Sequence, residues 1–286
     1  MEKFFVFLFI VLEIINCNKN AYEQLLEWGK NNSVYISDKI EMNYINENKK
    51  EYKVKEAIKE GEIIISIPKG LLLNIDSALK LSNSKIKKQY ETYKNKILSE
   101  KTNNKNENEN ENIRLIRIQQ SFLAYLMTTA NKNKSPKNKF YEFYKYFFNT
   151  FETNLEKYPL FYNSGQLRLL LFSLFGVEII QVKNMFEEEH KTFEKDIYKK
   201  SLDQDEYIKY RIFTFNKFVN ITEMSSIIPF ADMIETNPFN YNLKLNHTQQ
   251  NDSISVIATK KIEPKDKLLV AVVQMTNSAS FITYGK

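Results

Sequence analysis

Apolar, β-branched runs stand toward both ends of this chain, and a long stretch of helical spacing separates them. Glu62-Ile-Ile-Ile-Ser-Ile-Pro68 has the character of a buried strand, because branched side chains pack well on a pleated surface and Gly61 and Pro68 frame the run. Leu71 to Leu73 continue that core. From Ile113 to Ala130, and again over Gln166–Ile180 and Asn184–Tyr210, apolar residues recur at helical intervals. Strand-like segments return at Ser226–Phe230, Ile254–Ala258 and Leu268–Val273, separated by polar turns that include Glu263-Pro264. Strands, then helices, then strands predict an α+β architecture with a mostly helical insertion. No internal repeat is present.

The segments between these runs are less regular. Leu25, Leu26 and Trp28 give Ala21–Lys30 the pattern of a short amphipathic helix, ended by Gly29 and the asparagine pair behind it. Lys80 to Asn112 is Lys, Asn and Glu with few apolar anchors, and Asn103 to Asn112 is low complexity. Too little surface can be buried there, so a disordered loop is expected near 95–112. Phe140 to Phe151 is dense in Phe and Tyr; it reads as core, with a partner surface as the alternative.

With 286 residues and 43% hydrophobic content, one substantial core or two modest ones can form, and disorder throughout is excluded. The formal charge is +6, but acidic residues are plentiful. The charge is therefore spread rather than gathered into a basic arm, and no nucleic-acid partner is expected. The single cysteine, Cys17, excludes an internal disulfide framework and a Cys-rich zinc site. His190 and His247 lack a second ligand at metal-binding spacing, so both are expected as solvated side chains and no metal is expected.

The N-terminus differs from the rest. Lys3 precedes the apolar run Phe4–Leu12, which continues through Ile14 and Ile15, and polar Asn16–Asn20 follow. Residues 1–18 thus read as a signal peptide or membrane anchor, too short for a convincing span. Routing into the secretory pathway follows, with membrane contact only through this segment; the final compartment is not assigned. Sequons at Asn31, Asn133, Asn220, Asn246 and Asn251 are compatible with that route.

Several motifs share one order and spacing from about Ala21 to the end: Lys59-Glu-Gly-Glu-Ile-Ile-Ile-Ser-Ile-Pro-Lys-Gly-Leu-Leu-Leu73, Tyr158-Pro-Leu-Phe161, Gln166-Leu-Arg-Leu-Leu170, Ile228-Pro-Phe-Ala-Asp-Met233, Lys260 to Leu268, Thr276-Asn277 and Tyr284-Gly285. In these the chain resembles SET-domain protein-lysine methyltransferases of the Rubisco large-subunit methyltransferase class, and the Pro-x-x-Asp-Met stretch is the most specific match. The resemblance implies a SET β-strand core with the helical insertion (i-SET) between its two halves: residues 19–75, an insertion over 76–206, and 207–286. It also implies methyl transfer from S-adenosylmethionine to a lysine of a protein substrate, without a metal.

The resemblance also assigns positions. The family's glycine-rich cofactor stretch falls on Lys49-Lys-Glu51, where side chains obstruct close backbone approach. Its arginine becomes Lys217, which keeps the charge and loses the bidentate fork. Asp232 is expected beneath the cofactor, and Glu235-Thr236 replace an Asn-His pair. Lys217, Asp232, Glu235 and Thr236 are thus the cofactor candidates. The first family tyrosine falls on Ala271 or Val272, leaving Tyr284 as the catalytic candidate. The class continues past the position of Lys286 into a helical substrate-docking domain, so a divergent member lacking that domain is expected. Two functions follow from the resemblance: an S-adenosylmethionine-dependent protein-lysine methyltransferase, or a catalytically degenerate SET fold acting as a protein-binding scaffold.

Overall fold

The computed structural model describes residues 23–46, 49–99, 111–135, 137–148, 158–162, 164–170, 173–220, 225–237, 240–248 and 252–271. Helix α1 covers residues 23–31, followed by strands β1 (Tyr35–Ile36), β2 (Ile40–Asn46), β3 (Lys49–Val54) and β4 (Ile63–Pro68). Helices α2 (Ile75–Lys80), α3 (Ser84–Ser99), α4 (Glu111–Lys132), α5 (Lys139–Phe148), α6 (Ser164–Leu170), α7 (Leu174–Thr192) and α8 (Gln204–Lys217) come next. The chain then returns to strands β5 (Val219–Asn220), β6 (Ser225–Ser226), β7 (Glu235–Thr236), β8 (Leu243–Thr248), β9 (Ser253–Ala258) and β10 (Leu269–Val270). Two compact units result. A sheet unit draws on described residues within 23–72, 143–148 and 228–271, and a helical unit on those within 73–142 and 158–227.

The sheet unit is built on six strands in the order β1-β4-β9-β8-β10-β7. β4 lies between β1 and β9, antiparallel to both. A register shift between Ile63 and Ile65 lets the consecutive residues Ile64 and Ile65 both be buried, together with Ile67, which strict alternation would not allow. Each such side chain contributes roughly 1.5–3 kcal/mol by leaving water. Gly61 at φ 79 makes the turn into β4, closed by Glu62 N donating to Lys59 O at 3.2 Å; the left-handed backbone is what glycine supplies there. β10 inserts between β7 and β8, parallel to both. Buried Asn242 holds it in place, its Nδ2 donating to Lys267 O at 2.8 Å and its Oδ1 accepting from Leu269 N at 2.8 Å. A separate hairpin pairs β2 with β3.

In the helical unit α4 packs against α2, α3 and α8, and α7 against α8. At its centre Arg211 is fully buried. Its Nε donates to Glu189 Oε2 at 2.8 Å and its Nη1 to Gln120 Oε1 at 3.2 Å, while the Tyr207 hydroxyl donates to the same Glu189 oxygen at 3.2 Å. The guanidinium also lies 4.5 Å from the Phe186 ring centre, so its charge is met on every side that the described residues show.

Three sequence expectations change here. Where a disordered loop was expected near 95–112, residues 95–99 at the end of α3 and 111–112 at the start of α4 are helical. Tyr90 and Tyr93 supply the anchors: Tyr90 meets Phe122 edge-on at 5.1 Å, Tyr93 lies 4.4 Å from the Phe193 ring, and the Tyr93 hydroxyl is 2.9 Å from Ser121 Oγ. Two aromatics three residues apart give a lysine-rich helix one burying stripe; residues 100–110 lie outside the described residues. His190 is buried rather than solvated, because it follows Phe186 by one turn of α7 and its Nε2 lies 2.9 Å from Leu202 O. The strand expected over Ser226–Phe230 stops at Ser226, since Phe230 turns the chain at φ 70. Among the described residues no helix is long and apolar enough to cross a membrane, and residues 1–18 lie outside them.

Candidate functional site

Three segments of the sheet unit, far apart in sequence, meet around one cavity. The first is β3. Tyr52 is buried and its hydroxyl donates to Phe230 O at 3.2 Å, which ties the strand to the short 3-10 turn Ala231–Met233. Glu51 and Lys53 flank that anchor.

The second segment is the turn itself. Phe230 has φ 70 and ψ −41, a sparsely populated backbone region near the strained γ-turn that costs about 1–3 kcal/mol. Packing holds it there. The Phe230 ring is fully buried and stacks on Trp28 at 6.2 Å with an 18° interplanar angle. It also presses on Gly29, where an added Cβ would come within 2.5 Å of the ring's ζ carbon. Beyond the turn, Ile234 N donates to Ala231 O at 3.1 Å and β7 begins, pairing Glu235 with Leu269 and Thr236 with Val270.

The third is the loop before β10. Asp266 N donates to Glu263 O at 3.0 Å, and Glu263 N donates to Asp266 Oδ2 at 2.8 Å. Lys265 occupies the position with positive φ, 81°. The corresponding turn before β4 has Gly61 at 79°, so the second turn has the same form with a side chain where glycine is unstrained.

Together these segments line a cavity of about 60 Å³. Glu51, Glu235 and Asp266 contribute carboxylates, and Lys53, Lys265 and Lys267 contribute amines. Lys267 Nζ lies 3.8 Å from Glu235 Oε2, with the side chains 62% and 36% exposed. A contact this exposed contributes about 0–1 kcal/mol.

The residues assigned by resemblance fall as follows. Glu235 lines the cavity, and Thr236 is its neighbour in β7. Asp232 is half-buried in the turn but is not among the lining residues. Successive side chains of a 3-10 turn point about 120° apart, and here Met233 takes the wall. Lys217 is the last residue of α8, in the helical unit, where an amine suits the negative end of the helix dipole. Ala271 follows β10, its N donating to Leu243 O at 3.3 Å. Val272, Thr276, Asn277 and Tyr284 lie outside the described residues. Among the described residues no group of three or more His, Cys, Asp or Glu is placed to hold a metal ion.

Sequence reasoning did not find Tyr52, Lys53 or the role of Lys265 and Lys267. A signal existed for the hairpin that carries the first two. Ile40, Met42 and Tyr44 alternate with polar residues, as do Tyr52 and Val54, and Ile40 pairs with Val54 and Met42 with Tyr52.

A family-model scan of the sequence finds no match, and no curated protein is similar to it in sequence. Solved structures are similar in fold. The SET domain of LSMT bound to lysine and AdoHcy is 12% identical with a TM-score of 0.66, over 93% of this chain and 57% of that one. Rubisco LSMT bound to sinefungin and monomethyllysine is 12% identical with a TM-score of 0.64, and Rubisco LSMT bound to AdoMet is 13% identical with a TM-score of 0.64; each match covers 93% of this chain and 56% of the other. This chain therefore spans a little over half the length of these proteins. The element order, the mixed sheet and the helical insertion are those of an α+β SET fold, and it is the SET fold of Rubisco LSMT that this chain adopts.

Proposed function

We propose that this chain is an S-adenosylmethionine-dependent protein-lysine N-methyltransferase whose cofactor binds at the sheet-unit cavity. The observation that carries this reading is convergence. Glu51, Glu235 and the loop before β10 line one cavity, although the first two come from stretches that the SET resemblance assigns separately to the cofactor. The lining chemistry suits a zwitterionic ligand, with amines for a carboxylate and carboxylates for an ammonium or hydroxyl group. The volume does not match, since about 60 Å³ is well below the roughly 300–1,000 Å³ of ordinary ligand clefts. The Lys267–Glu235 contact within the lining is weak enough to part at little cost, so the walls can separate. When bound, the cofactor would supply the methyl group. In this reading Glu235 lines the cavity with Thr236 beside it, Lys217 and Asp232 stay cofactor candidates by the resemblance alone, and Tyr284 is the candidate hydroxyl at the acceptor amine.

The small volume, together with Ala271 at one of the two positions for the first tyrosine, favours a second reading: a silent SET fold that binds a protein partner. Calorimetric titration of S-adenosylmethionine into the folded chain separates the two. Methyltransferase function predicts saturable binding that weakens about ten-fold or more in Lys217→Ala and in Glu235→Ala, since charge-assisted contacts are lost. A folded chain that takes up no cofactor sinks the enzyme reading and leaves the scaffold. We further propose that residues 1–18 direct the chain into the secretory pathway; a reporter fused behind them that stays cytosolic would refute this.

A further inference from the structure

The helical unit carries a second concavity, unrelated to the cavity above. Between the start of α3 and the turn joining α4 to α5 lies an open cleft of about 580 Å³, a volume ordinary for a small ligand. Lys80, Lys85, Lys137 and Lys139 line it, and no Asp or Glu does. None of the four lysines forms an ion pair among the described residues. Elsewhere Lys39, Lys96, Lys191 and Lys261 each have a carboxylate in contact. Like charges gathered around one concavity repel each other, and an anion between them relieves that repulsion.

The backbone brings helix ends of both signs to the cleft. α3 and α5 both begin at the cleft, and Asn83 and Asn138, which line it, accept from Ile86 N at 3.1 Å and Tyr141 N at 3.2 Å. The N-terminal ends of α3 and α5 therefore lie at the cleft, each with one N–H already capped. α2, α4 and the π-helical turn Phe193–Tyr198 end there too, and their carbonyl ends oppose an anion, so the lysines and not the helix dipoles carry the positive field. Asn133 answers the α4 end directly, donating from N and from Nδ2 to Thr129 O, each at 3.1 Å. Deeper in, Gln89 donates to Ile197 O at 2.7 Å and accepts from the Tyr125 hydroxyl at 3.3 Å. Tyr198, from the π-helical turn Phe193–Tyr198, closes the floor.

We propose that this cleft binds a dianionic phosphate group, free or as a monoester. Lysine amines are compact charges suited to phosphate oxygens, and a dianion is the smallest common ligand able to meet several of them at once. The sequence alone spread these lysines over two segments with a buried helix between them, which is why the overall charge balance did not reveal the cleft.

The test is titration of the full chain, at ionic strength held constant with chloride, with inorganic phosphate and separately with a phosphoserine peptide. Lys85→Ala/Lys137→Ala removes two exposed amines of the cleft, and Lys55→Ala/Lys260→Ala removes two exposed amines from the sheet unit as a control. Saturable phosphate binding, weakened about ten-fold or more only in the cleft variant, is the expected result, because each lost charge-assisted contact is a large share of so small a ligand's affinity. A peptide that binds more tightly than phosphate identifies the monoester as the source; equal affinity identifies free phosphate. No saturable binding of either probe, or equal binding by the folded cleft variant, overturns the proposal.

Discussion

The centre of the helical unit and the cavity of the sheet unit deal with their polar groups in opposite ways. In the helical unit Arg211, Glu189, Gln120 and Tyr207 are buried and bonded to one another, so the polar cluster is sealed into the core and leaves nothing for a ligand. In the sheet unit the charged groups around the cavity stay at the surface, and the unfavourable energy sits in the backbone, at Phe230 and Lys265. A sealed and satisfied network specifies packing. Strained backbone beside unsealed charge is the combination from which function is properly inferred.

High pH should separate the units most sharply. Burial raises the phenols of Tyr93 and Tyr207, with the Glu189 charge adding to the shift, and burial pushes Tyr90 up to about 12. Unfolded tyrosines ionise near pH 10. Above that, the unfolded chain has released protons that the folded chain still holds, so stability falls as pH rises. Tyr93 and Tyr207 alone account for roughly 3 kcal/mol per pH unit. Urea denaturation midpoints should therefore hold below about pH 10 and collapse above it, with α-helical signal lost first. Gradual ionisation of every tyrosine in a chain that stays folded would remove the contrast between the units.

Arg211→Met tests the sealed network more locally. It strands the Glu189 carboxylate in the core, and removing one partner of a buried pair costs about 3–5 kcal/mol. The paired change Arg211→Met/Glu189→Leu should recover much of that loss, since apolar residues of similar volume can replace both charges. A double variant as unstable as the single one would mean that the network does more than satisfy itself.

How much of this was legible beforehand depended on whether the controlling contact was local. β4 and β9 could be read because branched apolar residues crowd into six-residue runs. α3 could not, because Tyr90 and Tyr93 find their partners on α4 and the π-helical turn, and propensity is blind to such contacts. The site was half visible. Glu235 came from a motif with an assigned role, whereas Lys267 lies in the Lys260–Leu268 match and Tyr52 in an alternating hairpin strand that gave neither a role, and both reach the cavity only through strand pairing and the turn.

Gly29→Ala probes the sheet unit's strain from outside the cavity. The new Cβ would meet a Phe230 ring that is fully buried and stacked on Trp28. Neither ring has room to yield, so overpacking should cost about 1–3 kcal/mol. Because Phe230 O accepts from Tyr52, the same change should disturb the β3 wall, visible as chemical-shift changes in β3 amides. A neutral substitution would show that the turn is looser than its contacts imply.

The smallest expected effect has the opposite sign. Lys265 holds φ 81 at the turn position where Gly61 holds φ 79 in its counterpart, and a side chain in left-handed backbone costs about 1 kcal/mol or more relative to glycine. Glycine, however, adds freedom to the unfolded chain, which offsets part of the gain. The net for Lys265→Gly should be a stabilisation of a few tenths to about 1 kcal/mol, read from denaturation midpoints at unchanged slope. The same variant removes one amine from the cavity lining. If Lys265 is kept for the cavity, stability should rise while S-adenosylmethionine binding weakens. A rise in stability with binding untouched would assign the strain to the turn alone and narrow the cavity's working amines to Lys53 and Lys267.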